Sequence, residues 1–267
     1  MLGPDRQARI VQLVQQHSMS VVELSQHFGV SAMTIRRDLD LLEARGLVLR
    51  VHGGARAPEA PKASTEDMRG ARNVGEKEAI GAAAAALVED GQTLFIDAGT
   101  TTIELARRLR ERQGLTVITN SVRVLGALAD CPAINLIGLG GSVYGGAWSF
   151  VGPLAEAALR RFNAGVAFMG ITSLSLQEGL SEINYFEAAI KSTMIQRAQR
   201  VILLADHTKF EKVSPVSVAP LSEIDTIITD GQLSADLIAA YRKAGVEIML
   251  ATPPTPDAAS PQKEDPL

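Results

Sequence analysis

SVVELSQHFGVSAMTIRRDLDLLEARGLVLRVHGGA, residues 20–55, holds two short helical patterns with a turn between them, then an apolar strand pattern and a Gly-Gly turn. Ser20 and Glu23 have the spacing of a capping box, and Val21, Leu24 and Phe28 then fall on one helix face. Gly29 supplies the turn and Ser31 caps a second helix, whose buried stripe is Ile35, Leu39 and Leu42. At roughly 100° per residue, the opposite face carries Met33, Arg37 and Asp40, flanked by Thr34 and Arg36. A short helix with arginines near its start, held by another helix through a glycine turn, suits the major groove of double-stranded DNA. There guanidinium forks pair bidentately with guanine, while hydroxyls and backbone N–H groups hold phosphates. Ser31, Met33, Thr34, Arg36 and Arg37 are therefore the candidate DNA contacts on this helix. Past Gly46, LVLRVHGGA reads as a β-wing whose Arg50 and His52 reach the DNA backbone or the minor groove. Asp38, at the margin of the buried stripe, is expected to orient an arginine rather than touch DNA. The periodicity alone also fits a helical hairpin whose arginines are merely solvated.

A chain of 267 residues has room for one large or two modest domains, and 46% hydrophobic with 21% charged residues is the balance of a soluble globular protein. The net charge of −4 is uneven: residues 1–57 carry seven arginines against five carboxylates, so the remainder is near −6. A mildly basic head on an acidic body fits a DNA-binding module joined to something else, although the charge is too small to establish this unaided. Cys131 is the only cysteine, which excludes an internal disulfide and a Cys-based zinc site. His17, His27, His52 and His207 show no ligand spacing, so neither a metal nor a cofactor is expected. No signal-peptide pattern opens the sequence, and the Ala-rich run after Ile80 is too short to span a bilayer. A cytoplasmic protein with no membrane partner is the expectation.

Before this stretch, a first helix over 5–17 turns Ile10, Leu13 and Val14 to one side. After it, ARAPEAPKAS has no periodicity and reads as an exposed linker. A helix over 76–88 then opens an alternation of strands and helices. Strands are expected at TLFID (93–97), TVIT (116–119), INLIG (134–138), VAFMG (166–170), VILLAD (201–206), TIITD (226–230) and EIMLA (247–251). Helices are expected over 101–112, from the 120s through Leu128, and over 154–161, 186–198 and 234–244. Near-continuous apolar strands alternating with helices indicate an α/β domain whose mostly parallel sheet is covered on both faces. The expected division is a winged helix-turn-helix head at 1–57, a linker at 58–75, an α/β domain at 76–251 and a disordered tail at 252–267.

In an open parallel sheet, ligands bind at the carboxyl ends of the strands. The loops there are polar and small. In Asp97-Ala98-Gly99-Thr100-Thr101-Thr102, Gly99 admits a close ligand, the threonines offer hydroxyls, and the helix start favours an anion. Thr101 with Glu104 is equally readable as a simple capping box. Asn120 leaves the next strand, and Gly140-Gly141 permit close backbone approach without the fingerprint of a dinucleotide site or the lysine of a P-loop. Glu187 and Lys191 are one helical turn apart, which also fits an ordinary surface ion pair worth ~0.3–0.5 kcal/mol. Lys209, past another strand end, has the charge to neutralise a phosphate.

Two sets of residues carry a resemblance. Arg6, Ile10 and Val14 followed by VSAMTIRRDLDLLEARGLVLRVHGGA resemble the N-terminal winged helix-turn-helix of the DeoR family of bacterial repressors, and T-I-R-R-D-L with R-V-H-G-G-A is the specific part. DAGTTT, TNS, GLGGSVYGGAWSFVGPLAE, FMGITSLSLQEGL, EAAIKSTMI, ADHTKF and IITD occur in the order of that family's C-terminal sensor domain. The resemblance implies a body fold shared with ribose-phosphate isomerases and CoA-transferases, a phosphorylated sugar or polyol as effector, and loss of operator affinity when it binds. Carried over by position, Gly99, Thr100, Thr101, Asn120, Gly140, Gly141 and Lys209 would face a phosphate, and Asp97 and Glu187 would bind sugar hydroxyls. Thr102 and Lys191 complete the candidate set. The segment 181–185, SEINY, departs from the family's Thr-Thr-Pro-Asp-like sequence and is somewhat similar to glycerol-3-phosphate-responsive members. Trp148, just beyond the glycine-rich loop, fits a core position and a pocket wall equally.

The leading expectation is a DNA-binding transcriptional repressor of a carbohydrate-metabolism operon, with no catalytic residue, released from operator DNA by its effector. Reading a two-fold operator needs two heads, so a homodimer or homotetramer is expected. The alternative is a sugar-phosphate isomerase-like enzyme with an accessory DNA-binding head, in which Asp97, Glu187 and Lys209 supply acid, base and charge stabilisation. An architectural DNA binder without a ligand leaves the polar strand-end loops unexplained.

Overall fold

The computed structural model describes residues 3–44, 47–51, 53–56 and 69–252. His52, the greater part of the expected linker and the expected tail from 253 lie outside the described residues. Backbone packing divides the chain into two units, 1–63 and 64–267.

In the N-terminal unit, α1 (Gly3–Gln16), α2 (Val21–Phe28) and α3 (Ala32–Ala44) enclose a core of Ile10, Val14, Val21, Leu24, Ile35, Leu39 and Leu42. Burying each large aliphatic side chain contributes about 1.5–3 kcal/mol, and a unit this small depends on all of them. The capping box at Ser20 and Glu23 forms as its spacing predicts, and Gly29 ends α2 with φ 63, a left-handed conformation that only glycine adopts without strain. Ser31 Oγ accepts from the Thr34 amide at 3.2 Å and so caps α3. The wing is β2 (Leu49–Val51) against β3 (Gly54–Arg56), and β3 also pairs with β1 (Met19–Ser20), a strand too short to leave a periodic signal. Asp38 is buried in this unit. Its Oδ2 accepts from Arg6 Nε at 2.6 Å and its Oδ1 from Gln7 Nε2 at 2.9 Å. The arginine that Asp38 orients therefore comes from α1, and this pairing fixes α1 against α3.

In the second unit, seven strands of the described residues form one parallel sheet. These are β4 (Thr93–Ile96), β5 (Thr116–Thr119), β6 (Asn135–Gly138), β9 (Ala164–Met169), β12 (Ala198–Leu204), β14 (Thr226–Thr229) and β15 (Glu247–Leu250), in the order β15-β14-β12-β9-β4-β5-β6. Alternate residues feed two cores. Leu94, Ile96, Val117, Phe168, Ile202, Leu204 and Ile228 pack with α4 (Val74–Ala85), α5 (Thr102–Arg108) and α6 (Val122–Leu128). Phe95, Ile118, Ala167, Val201, Leu203 and Ile227 pack with α7 (Pro153–Leu159), α8 (Tyr185–Arg197) and α9 (Ala235–Lys243). With both faces covered, each strand is apolar at successive positions, which explains the continuous apolar runs. Two smaller features had no sequence expectation. One is a hairpin of β7 (Ser142–Tyr144) and β8 (Ser149–Val151). The other is an antiparallel sheet of β10 (Ser173–Ser175), β11 (Gly179–Glu182) and β13 (Val216–Ala219).

The chain lays down β4, β5 and β6 in one direction, then returns to the other side of β4 for β9 and continues outward through β12. The strand order thus reverses between β4 and β9. At such a point the two flanking connections leave on opposite faces and open a crevice beyond the carboxyl ends.

Candidate effector site and DNA-binding face

On α3, Met33, Arg36, Arg37 and Asp40 are exposed, opposite the buried Ile35, Leu39 and Leu42, as the periodicity predicts. Thr34 is half-buried, and its Oγ1 lies 2.9 Å from Ser31 Oγ, so both hydroxyls serve the helix start. Arg50 on β2 turns to α3: its Nε is 4.0 Å from Asp40 Oδ1 and its backbone N–H donates to Glu43 Oε1 at 3.2 Å. Arg50 Nη1 is buried without a partner. The wing is thereby tethered to the helix, and Arg36 and Arg37 are the exposed cationic groups on α3 among the described residues. Arg37→Ala is expected to weaken specific DNA binding by ~1–3 kcal/mol at fixed salt, the worth of one bidentate base contact. An unchanged affinity in a fluorescence titration removes Arg37 from the readout.

At the reversal between β4 and β9 lies a cleft with about 480 Å³ of empty space, open solvent included. Ala98, Gly99, Thr100 and Thr101 line it from the loop after β4, and Gly170, Ile171 and Thr172 from the loop after β9. Glu182, Glu187 and Lys191 close one part, and Arg69, Ala147, Leu204 and Lys209 also line it. Lys191 is 3% exposed. Its ammonium is hydrogen-bonded to Asp97 Oδ2, donates to Gly170 O at 2.9 Å, and lies 3.6 Å from Glu182 Oε1. Burial alone would lower this lysine, but Asp97, Glu182 and Glu187 together outweigh it and hold the ammonium charged well beyond the ordinary range. The reading of Glu187 and Lys191 as a surface pair is therefore corrected: both are buried, and Lys191 pairs with Asp97 and Glu182.

Other expected site residues stand behind the cleft rather than in it. Asp97 is 1% exposed and engaged by Lys191 and by the Gly170 amide at 3.3 Å. Thr102 is fully buried, and its hydroxyl donates to the Asp97 and Gly99 carbonyls at 2.7 and 3.0 Å. That bond, rather than a Thr101–Glu104 capping box, holds the loop, because Thr101 makes no side-chain cap and Glu104 pairs with Arg107 at 2.5 Å. Asn120 Oδ1 accepts from the Ala98 amide at 3.0 Å and so buttresses the same loop from β5. Gly140 and Gly141 do not line the cleft. A Cβ on Gly141 would meet Val151 O at 3.1 Å and Ala155 N at 3.2 Å, so this glycine serves the packing of the hairpin on α7. Trp148 is 45% exposed, beside the cleft-lining Ala147, and is therefore not a core residue.

Three lining residues with polar side chains had no sequence expectation as site residues. Glu182 accepts from Thr172 N at 3.1 Å and from Thr172 Oγ1 at 2.5 Å, which ties β11 to the loop after β9. Arg69 donates from Nη2 to Gly146 O at 3.0 Å. Thr172 is the third. Lys209, in the turn after β12, makes no ion pair among the described residues, and burial holds its ammonium below the ordinary lysine range despite Asp206. The cleft thus presents cations and hydroxyls beside a buried carboxylate cluster. Among the described residues no group of three or more His, Cys, Asp or Glu side chains could hold a metal ion, and no helix is long and apolar enough to cross a membrane.

Burial, with Glu182 adding to it and Lys191 opposing it, pushes Glu187 up to about 7 from the ordinary 4.5. The folded protein holds this proton more tightly than the unfolded chain, so the stability it gives is present below the ordinary value and is lost as pH rises through about 7. Glu187→Gln is expected to remove a loss of about 1–3 kcal/mol between roughly pH 5 and pH 8. Urea midpoints across that range read it directly, and parallel pH profiles for the variant and the parent contradict it.

Residues 6–60 match the DeoR-like helix-turn-helix domain, and residues 72–231 match the DeoR C-terminal sensor domain. The HTH-type transcriptional regulator GlpR of Haloferax volcanii is 39% identical over 252 residues, covering 93% of this chain and 98% of that protein. The transcriptional repressor AccR of Agrobacterium fabrum is 35% identical over 232 residues, covering 85% of this chain and 89% of that protein. Among solved structures, ribose 5-phosphate isomerase A of Methanocaldococcus jannaschii is similar over 50% of this chain and 53% of its own, with 17% identity and a TM-score of 0.37.

Proposed function

This chain belongs to the DeoR family of transcriptional regulators, and from that premise we propose that it is a repressor of a carbohydrate-metabolism operon, released from operator DNA by a phosphorylated sugar or polyol. The observation that carries the effector class is the make-up of the cleft at the β4/β9 reversal. Lys209 makes no ion pair among the described residues, Thr100 and Thr101 stand at the start of a helix, and Glu187 is a carboxyl able to meet hydroxyls. An anion bound at Lys209 and the loop after β4, with hydroxyls reaching toward Glu187, uses all of these groups. Asp97 has a supporting role in this reading, since Lys191 and the Gly170 amide occupy the same oxygen of its carboxylate.

Asp97 has no acid or base role in this reading. An acid or base must reach the proton it moves, and Asp97 is sealed from the cleft by Lys191. The head, as residues 1–57, would supply Arg36 and Arg37 to the major groove, and a two-fold operator would require at least a homodimer. A thermal-shift panel of sugar and polyol phosphates, with the unphosphorylated compounds as controls, tests the effector class. At least one phosphate ester is expected to raise the melting temperature while its parent alcohol does not. Stabilisation by the parent alcohol alone overturns the assignment of an anion site.

A further inference from the structure

Arg69 is a second cation in the cleft with unused donors. Its Nη2 donates to Gly146 O, while its Nε is buried with no partner, and no carboxylate pairs with it among the described residues. A buried guanidinium N–H left unbonded is costly, and a planar fork with free donors matches the oxygens of a phosphate. The charge of Arg69 acts on both Lys209 and Glu187, so it bears on the cationic and the carboxyl sides of the cleft alike.

Its place in the chain adds a second observation. Residues 69–77 are the first described part of the α/β unit, and they are bonded onto the cleft's own framework. The buried Lys77 ammonium is hydrogen-bonded to the Arg69 carbonyl and donates to the Arg72 carbonyl at 2.5 Å. Asn73 adopts φ 51, unusual for a residue with a side chain, and its Nδ2 donates to Asp206 Oδ1 at 3.1 Å. Asp206 opens the turn that carries Lys209. Gln232 Nε2 donates to Glu76 Oε1 at 2.6 Å. The segment by which the chain enters the sensor is therefore fastened to the turn after β12, and its one side chain in the cleft is Arg69.

We propose that Arg69 binds the effector's phosphate together with Lys209 and that, through it, occupancy of the cleft sets the order of the entry segment 69–77 leading from the DNA-binding head. This rests on reading the cleft as an anion site. It adds to that reading a ligand-binding residue and the covalent route by which binding is felt outside the cleft. The Arg69–Gly146 hydrogen bond holds the side chain in place at the cleft wall, and the guanidinium group supplies the charge and the further donors that meet the anion. Because Lys77 grips main-chain carbonyls, side-chain replacement at position 69 leaves that clamp in place.

The test uses the full chain as wild type, Arg69→Gln and Arg69→Lys, with glycerol 3-phosphate, a set of hexose phosphates and inorganic phosphate as probes. Binding is read by calorimetry, release by anisotropy of a duplex selected by the protein from a random pool, and order of 69–77 by hydrogen exchange. Arg69→Gln is expected to keep the ligand-free melting temperature and DNA affinity of wild type. It should bind the responsive ester about ten- to a hundred-fold more weakly and lose the ligand-dependent slowing of exchange in 69–77. Arg69→Lys should recover part of the affinity. Wild-type binding by Arg69→Gln overturns the proposal, as does equal weakening in both variants with a lowered ligand-free melting temperature, which marks a purely structural residue. A variant that binds weakly yet, once saturated, releases DNA and slows exchange as wild type does overturns the coupling. If wild type binds none of the esters, the anion-site reading itself has failed, a result distinct from all of these.

Discussion

Lys191→Met is expected to destabilise the α/β unit by about 3–5 kcal/mol at pH 8, because it removes the cation and leaves its buried carboxylate partners behind. Asp97 is 1%, Glu182 3% and Glu187 8% exposed, so water cannot replace the ammonium. The methionine fills similar volume, which keeps a cavity term from confusing the result. The carboxylates can escape by taking up protons, so the deficit should shrink as pH falls toward about 5. Adding Asp97→Asn should restore part of the loss at pH 8, since one stranded charge is then gone. Trp148 is the only tryptophan and lies in this unit, so its fluorescence in urea reports this unfolding apart from that of the head. Equal stability of variant and parent at pH 8 would show that these charges do not depend on Lys191.

Lys209→Ala is expected to lower affinity for a responsive sugar phosphate by about 2–5 kcal/mol, or some thirty- to several-thousand-fold, while DNA affinity without ligand stays at the wild-type value. Two features set the size of the effect. Lys209 makes no ion pair among the described residues, so its charge is available to a ligand, and it is partly buried, so the attraction is only weakly screened. Its removal also relieves repulsion with Arg69, which offsets a little of the loss. Calorimetry on the variant settles the matter, and a dissociation constant within threefold of wild type would remove Lys209 from the anion site.

Much of this architecture could be read from residue order because its signals are local and periodic. Ser20 with Glu23, Gly29, and the stripe Ile35-Leu39-Leu42 each depend on neighbours within a few turns, and the structure forms each of them. The seven apolar strand runs were legible for the same reason, with ends shifted by a few residues. Strand order was not, since no local pattern says that β9 returns beside β4, and that return is what creates the crevice. Arg69 sits in a stretch without periodicity next to a Pro-rich run, so nothing in sequence separated it from the expected linker. Glu182 falls in the segment 181–185 that departs from the family pattern, and no local signal there shows that it fastens β11 to Thr172. Thr102 and Asn120 carry the same sequence signal as ligand donors, because polar side chains at strand ends look alike whether they face a ligand or the backbone. Gly140-Gly141 carry the same ambiguity: glycine marks close approach without naming what approaches.

In the proposed mechanism an anion held at the β4/β9 crevice changes the grip of the head on DNA. Fluorescence anisotropy of a selected duplex, titrated with protein at fixed salt in the presence and absence of each phosphate ester, measures this most directly. A coupling of about 1–3 kcal/mol predicts that one ester weakens DNA binding by roughly 5–150-fold, with its unphosphorylated parent inert. Superimposable DNA-binding curves for an ester that calorimetry shows to be bound would contradict the claim.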